Sequence, residues 1–144
     1  MLPTMFGCAQ QGGGAAPLKV TITSVDPIAL SVPPGTIGAT SAAGDITSVA
    51  TATGGDGSYS YAWSLSEIND PDSEYEVVSQ GTTTNATYND ATVKTTFNNP
   101  APAPPPAPPP PPPPNAANYR VTCTVTDGNG DTDTASEDFD VVVV

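Results

Sequence analysis

The chain has 144 residues, enough for one compact domain, and carries 15 acidic but only three basic side chains, for a net charge of −12. Three bases cannot build a phosphate-binding footprint, so neither nucleic acid nor an anionic membrane surface is an expected partner. Histidine is absent, which removes the commonest general base, the Ser-His and Cys-His pairs and every His-based metal site.

A carboxylate pair could still do acid-base work, but roughly 100 residues of sandwich offer little cleft for it, and no enzyme is expected. Charged residues make up only 12% of the chain, about half the usual share. Thr, Ser, Asn and Gly must therefore cover much of the surface, which suits solvated strands.

Residues 1–16 read as a flexible arm. A short apolar head containing Leu2, Met5 and Phe6 precedes the linker-like run Gln10-Gln-Gly-Gly-Gly-Ala-Ala16. Such a tip could hang free or dock on a neighbouring subunit. The head lacks a basic n-region and contains Pro3, so no export signal is expected, and Gly7-Cys8 lacks the apolar stretch that precedes a lipoprotein cleavage site.

From residue 17 the pattern becomes that of strands. Leu18, Val20 and Ile22 alternate with polar residues, and Ile28, Leu30 and Val32 do so again before the Pro33-Pro34-Gly35 turn. Residues 46–53 are rich in Thr, Val and Ala and end at Gly54-Gly-Asp-Gly57. Tyr59, Tyr61, Trp63 and Leu65 then share one face of a strand, and four side chains of that size predict a core wall. Residues 66–74 read as an acidic turn. Weaker strands are expected at 75–78, 86–88 and 92–97.

Residues 100–114 break the pattern, with twelve prolines and three alanines. Proline fixes φ and has no donor, so this run predicts polyproline II, either a spacer or a strap along the sandwich. Tyr119, Val121, Cys123 and Val125 alternate cleanly as core residues. Asp127-Gly-Asn-Gly130 then turns the chain into a last strand over 132–144, with Phe139 in the core. The longest aliphatic run is Val141 to Val144, so no membrane span is expected. Domains are therefore expected at 1–16, the arm, and 17–144, an antiparallel β-sandwich interrupted at 100–114.

Two stretches resemble a known type of module. Thr51-Ala-Thr-Gly-Gly-Asp-Gly-Ser-Tyr-Ser-Tyr-Ala-Trp-Ser64 resembles the opening of SprB-type repeats and the related PKD domains, where a Gly-Gly turn leads into a Tyr-x-Tyr-x-Trp strand. Asn118-Tyr-Arg-Val-Thr-Cys-Thr-Val-Thr-Asp-Gly-Asn-Gly130 resembles their penultimate strand and hairpin, and Thr95-Thr-Phe-Asn-Asn-Pro100 the strand before it. The resemblance covers residues 46–65 and 95–144, about half of the chain. It implies an immunoglobulin-like sandwich from extracellular, adhesive or particle-surface proteins, without catalysis of its own. Ser64-Leu-Ser-Glu-Ile68 stands where PKD domains carry an Asp-Phe-Gly-Asp-Gly-like stretch, Cys123 replaces an aliphatic residue, and the proline run is an insertion. No ligand is carried over from the resemblance.

Few residues invite chemistry. Asp127, Asn129, Asp131 and Asp133 have a calcium-loop spacing, yet Thr132 stands where such a loop needs Gly, and the segment reads as a hairpin turn. No cofactor is expected, with calcium the one candidate. Trp63 is in phase with the core. Arg120 predicts a surface ion pair, and Asn85-Ala-Thr87 is a glycosylation sequon in spelling alone. Cys8 in the arm and Cys123 in a core strand are poorly placed for a bridge, which suits a reducing compartment. The expectation is a structural or adhesive module. A phage virion accessory protein, oligomeric or bound to a capsid or tail lattice and assembled in the host cytoplasm, comes first. A secreted or cell-surface module binding glycan or protein is the alternative.

Overall fold

The structure is a computed structural model that describes residues 15–26, 28–32, 38–71, 74–81, 83–99 and 116–144. The arm residues Leu2, Met5 and Phe6, Cys8, and the proline run 100–114 lie outside the described residues. Ten strands and no helix occur among them: β1 Lys19–Val25, β2 Ile28–Leu30, β3 Gly38–Asp45, β4 Ser48–Thr53, β5 Tyr59–Asn69, β6 Tyr75–Gln80, β7 Thr87–Tyr88, β8 Ala91–Asn99, β9 Ala117–Asp127 and β10 Thr132–Val143.

One layer is a four-stranded sheet in the order β2-β10-β9-β5. Its pairs are antiparallel except β2, which runs parallel to β10 from Ile28 opposite Val141 to Leu30 opposite Val143. The other layer consists of two ladders, β1-β4-β7 and β3-β8-β6. They share two strand paths. The chain runs from β3 into β4 through residues 46–47, and from β7 into β8 through residues 89–90. The Ile46 amide keeps the ladder continuous by donating to the Ala91 carbonyl at 2.9 Å. A kinked strand thus pairs with β8 at one end of the molecule and with β1 and β7 at the other.

The layers meet over a core that alternation dictates. Every second residue of β9 from Ala117 to Asp127 is buried, and Tyr119, Val121, Cys123 and Val125 are fully so. Leu65, Tyr88, Val20, Ile22, Ala50, Val93, Phe139 and Val141 pack with them. Tyr119 stacks on Phe139 with ring centroids 6.1 Å apart. A central strand covered on one face must read apolar at every second position, which is why β9 was plain in the sequence.

The structure adds to and departs from the sequence reading at particular places. Residues 66–69 are not turn: β5 continues to Asn69, and the turn begins at Asp70. Residues 38–45, which carry no large side chain, form the full eight-residue strand β3 against β8. Tyr59, Tyr61 and Trp63 are half-buried, and only Leu65 of that quartet is fully packed, because β5 is an edge strand with β9 on one side alone. Ala16, the last residue of the expected arm, accepts at its carbonyl from the Gly55 amide at 2.8 Å.

The ends of the sandwich carry different parts. Ala16, the turn after Thr53 and the β9–β10 turn share one end. At the other end lie Gly38 opposite Asn99, Ala117 opposite Val141, and Val144, whose amide donates to the Leu30 carbonyl at 3.0 Å. The chain enters the sandwich at the first end, and the C-terminal residue belongs to the second.

Candidate functional site

Two features stand out: a braced pair of turns at the first end, and an uncharged hydroxyl face.

At the first end the Gly-Gly-Asp-Gly and Asp-Gly-Asn-Gly turns lock together. Asp127 is 5% exposed. Its Oδ1 accepts from the Asn129 and Asp131 amides, both at 2.9 Å, and its Oδ2 accepts from the Asp56 amide at 3.1 Å. Asp56 returns the contact, its Oδ1 accepting from the Gly128 amide at 3.0 Å and the Ser58 amide at 2.8 Å. Each aspartate therefore holds both its own turn and the other one, satisfying amides that would otherwise face solvent or one another. Gly55 has φ +58°, and a Cβ there would lie 2.5 Å from Asp127 Oδ2, so close approach and backbone conformation both demand glycine. Tyr59 closes the brace by donating its hydroxyl to the Gly54 carbonyl at 2.6 Å.

The calcium-like quartet sits in this brace. Gly130 donates to the Asp127 carbonyl at 3.0 Å and has φ +90°, and the Asp127 amide donates to the Asp131 carbonyl at 2.9 Å. This is a tight hairpin turn with a glycine bulge. Of the two glycines in this turn, Gly130 takes positive φ, whereas Gly128 does not. Both Asp127 carboxylate oxygens are engaged with amides, and Asp133 Oδ2 accepts from the Val20 amide at 2.7 Å. No group of three or more His, Cys, Asp or Glu side chains that could hold a metal ion occurs among the described residues.

The outer face of the four-stranded sheet is built from rows across β5, β9 and β10. Ser60, Thr126 and Thr132 form one row, Ala62, Thr124 and Thr134 the next, and Ser64, Thr122 and Ser136 the third. The spacing is about 4.8 Å between strands and about 6.8 Å along them. Thr122 and Ser136 hydroxyls lie 2.9 Å apart, and those of Thr124 and Thr134 3.0 Å. None of the nine positions is charged, in a chain of net charge −12. A fourth row ends the array with an ion pair, Arg120 Nε donating to Asp138 Oδ1 at 2.6 Å and Nη2 to Oδ2 at 2.8 Å. This hydrogen bond and the guanidinium charge hold the Asp138 carboxyl below its ordinary value.

The remaining sequence candidates have structural positions. Trp63 stacks on Tyr88 across the sandwich, with centroids 5.4 Å apart and planes 4° from parallel. Its Nε1 donates to the Asn85 carbonyl at 2.9 Å, so the sequon asparagine anchors the tryptophan through its backbone. Cys123 is a free, buried thiol, and burial pushes it from 9.0 up to about 11. No helix among the described residues is long and apolar enough to cross a membrane. The brace joins residues 71 positions apart, Asp56 and Asp127. Sequence reasoning found both turns but not their union, for which the repeated Asp-Gly in each was the available signal.

Against known proteins, no family model and no curated sequence matches the chain. Among solved structures, a conjugative transposon lipoprotein from Bacteroides eggerthii is similar at 12% identity, covering 85% of this chain and 96% of that one, with a TM-score of 0.32. A score that low does not establish a shared fold.

Proposed function

We propose that this chain is a non-catalytic structural module, an immunoglobulin-like head carried on a phage particle as a capsid decoration, fibre or tail-surface subunit. The strand order supports the immunoglobulin-like reading. β1, the β3/β4 path, the β7/β8 path and β6 follow the A-B-E-D order of such sandwiches, and β5, β9 and β10 their C-F-G order. The observation that carries the functional reading is the in-line layout. Ala16 lies at the braced end and Val144 at the other, about 35–40 Å away along the 11 and 12 residues of β9 and β10. A body built so keeps attachments at its two ends apart. The arm, with Leu2, Met5 and Phe6, anchors to a neighbour in the lattice, and many weak anchors add up through avidity. No catalytic group and no cofactor enters this reading.

The hydroxyl face favours a second reading, a secreted or cell-surface module that adheres to glycan or protein. An uncharged array of donors and acceptors suits a neutral polar partner better than the acidic surface around it does.

Peptide mass spectrometry on purified particles and on washed cell envelopes tests the two. Recovery at fixed stoichiometry in particles supports the virion role. Recovery in envelopes and not in particles replaces it with the adhesive one.

A further inference from the structure

The segment Tyr59 to Ser66 contains no charge, no proline and no glycine, and three of its eight residues are aromatic. It lies on β5, which among the described strands pairs with β9 alone. A segment of that composition on an open edge is a template for pairing with another chain. At one point the edge is already filled. The Gln80 carboxamide donates from Nε2 to the Leu65 carbonyl at 2.8 Å, and its Oε1 accepts from the Leu65 amide at 3.3 Å. These are the two bonds that a residue of an added strand would make. Ladder groups point the same way at every second residue, so the amides of Tyr61 and Trp63 face the same open side as that of Leu65.

We propose that the β5 edge is a strand-pairing surface for a second copy of this chain, held shut by the Gln80 carboxamide. The strand's own chemistry selects the occupant. Two β5 strands running antiparallel about a two-fold axis meet through Ser60, Ala62 and Ser64, which are small and uncharged, so no like charges face one another at the seam. The pairing would join two four-stranded sheets and carry the hydroxyl face across both copies. Net charge of −12 on each copy opposes the approach, and salt screens it. Beyond Leu65 the register shift between Glu67 and Asn69 ends the pairing-competent stretch.

Sedimentation across a concentration series tests this on the full chain, together with residue-resolved amide exchange. The wild type should remain a monomer. Gln80→Ala should self-associate to a dimer at least about tenfold more tightly, more so as salt rises, with slowed exchange at Tyr61 and Trp63. Adding Ser64→Lys in the same background should return the monomer. Should the alanine variant lose its fold, Gln80→Met, which keeps the apolar stem and removes both hydrogen-bonding groups, must give the same dimer. A Gln80 variant that sediments like the wild type, a dimer without slowed exchange at those two amides, or a wild type already paired there would overturn the proposal.

Discussion

Three tyrosine hydroxyls, those of Tyr75, Tyr88 and Tyr119, are buried and find no hydrogen-bond partner among the described residues. Tyr119 is the extreme case. Burial above all, then the nearby charges of Glu67 and Asp70, pushes its hydroxyl from 10.0 up to about 12. A buried unsatisfied hydroxyl costs the fold its lost hydration, while the ring fills the core as phenylalanine would. Tyr119→Phe should therefore raise stability by about 1 kcal/mol, read as a higher urea midpoint at unchanged m-value. The same residue sets a pH dependence together with Cys123. Both groups have a higher pKa folded than unfolded, so the native state favours their protonated forms. The stability they contribute is complete below about pH 9 and is lost as pH rises through about 11 for the thiol and about 12 for Tyr119. Urea midpoints measured from pH 8 upward should fall over that window, and less steeply in Tyr119→Phe.

Among the elements, β3 shows why some strands are legible and others are not. A Cβ on Gly44 would lie 2.7 Å from Ile28 Cγ2 and 2.8 Å from Leu30 Cδ2, so the aliphatic side chains of β2 occupy the space that a β3 side chain would fill. Ala42, two residues earlier on the same face, is buried as well. Strand β3 had to be small, and small residues carry no apolar alternation to read. Gly44→Val should overpack this contact and cost about 1–3 kcal/mol in chemical denaturation, despite valine's higher strand propensity. Strand β5 shows the opposite limit. Its aromatic alternation announced a strand and its inward face, but periodicity does not tell an edge from a centre. Trp63→Ala should accordingly cost about 2–3 kcal/mol, short of the 3–5 typical of a fully buried aromatic, because Trp63 on this edge strand is only partly buried. The edges themselves are guarded: every register shift in the described sheets falls on an edge strand, β1, β5 or β6. At two of those shifts the displaced residues Ile68 and Val78 stand 48% exposed. Bulges of this kind spoil an edge as a template where they fall, which on β5 leaves only the stretch before Ile68 fit for pairing.

On the scale of the molecule, the two kinked strand paths make the second layer one piece, and the Asp56–Asp127 brace ties that layer's turn to the first layer's hairpin. A hydrogen-bond exchange between turns 71 residues apart is invisible to any local reading, whereas the hairpin on its own was plain from Asn129-Gly130. If these ties hold the described strands together as one cooperative body, no strand should open ahead of the rest. Native-state hydrogen exchange tests this most directly. The amides of residues 41–45 in β3, where the sequence shows no apolar alternation, should exchange only through global unfolding, at the same free energy as Val121 and Val125 in β9. Fast exchange in β3 with β9 still protected would contradict it. The second layer would then come apart from the first, and a rigid in-line head would no longer describe this protein.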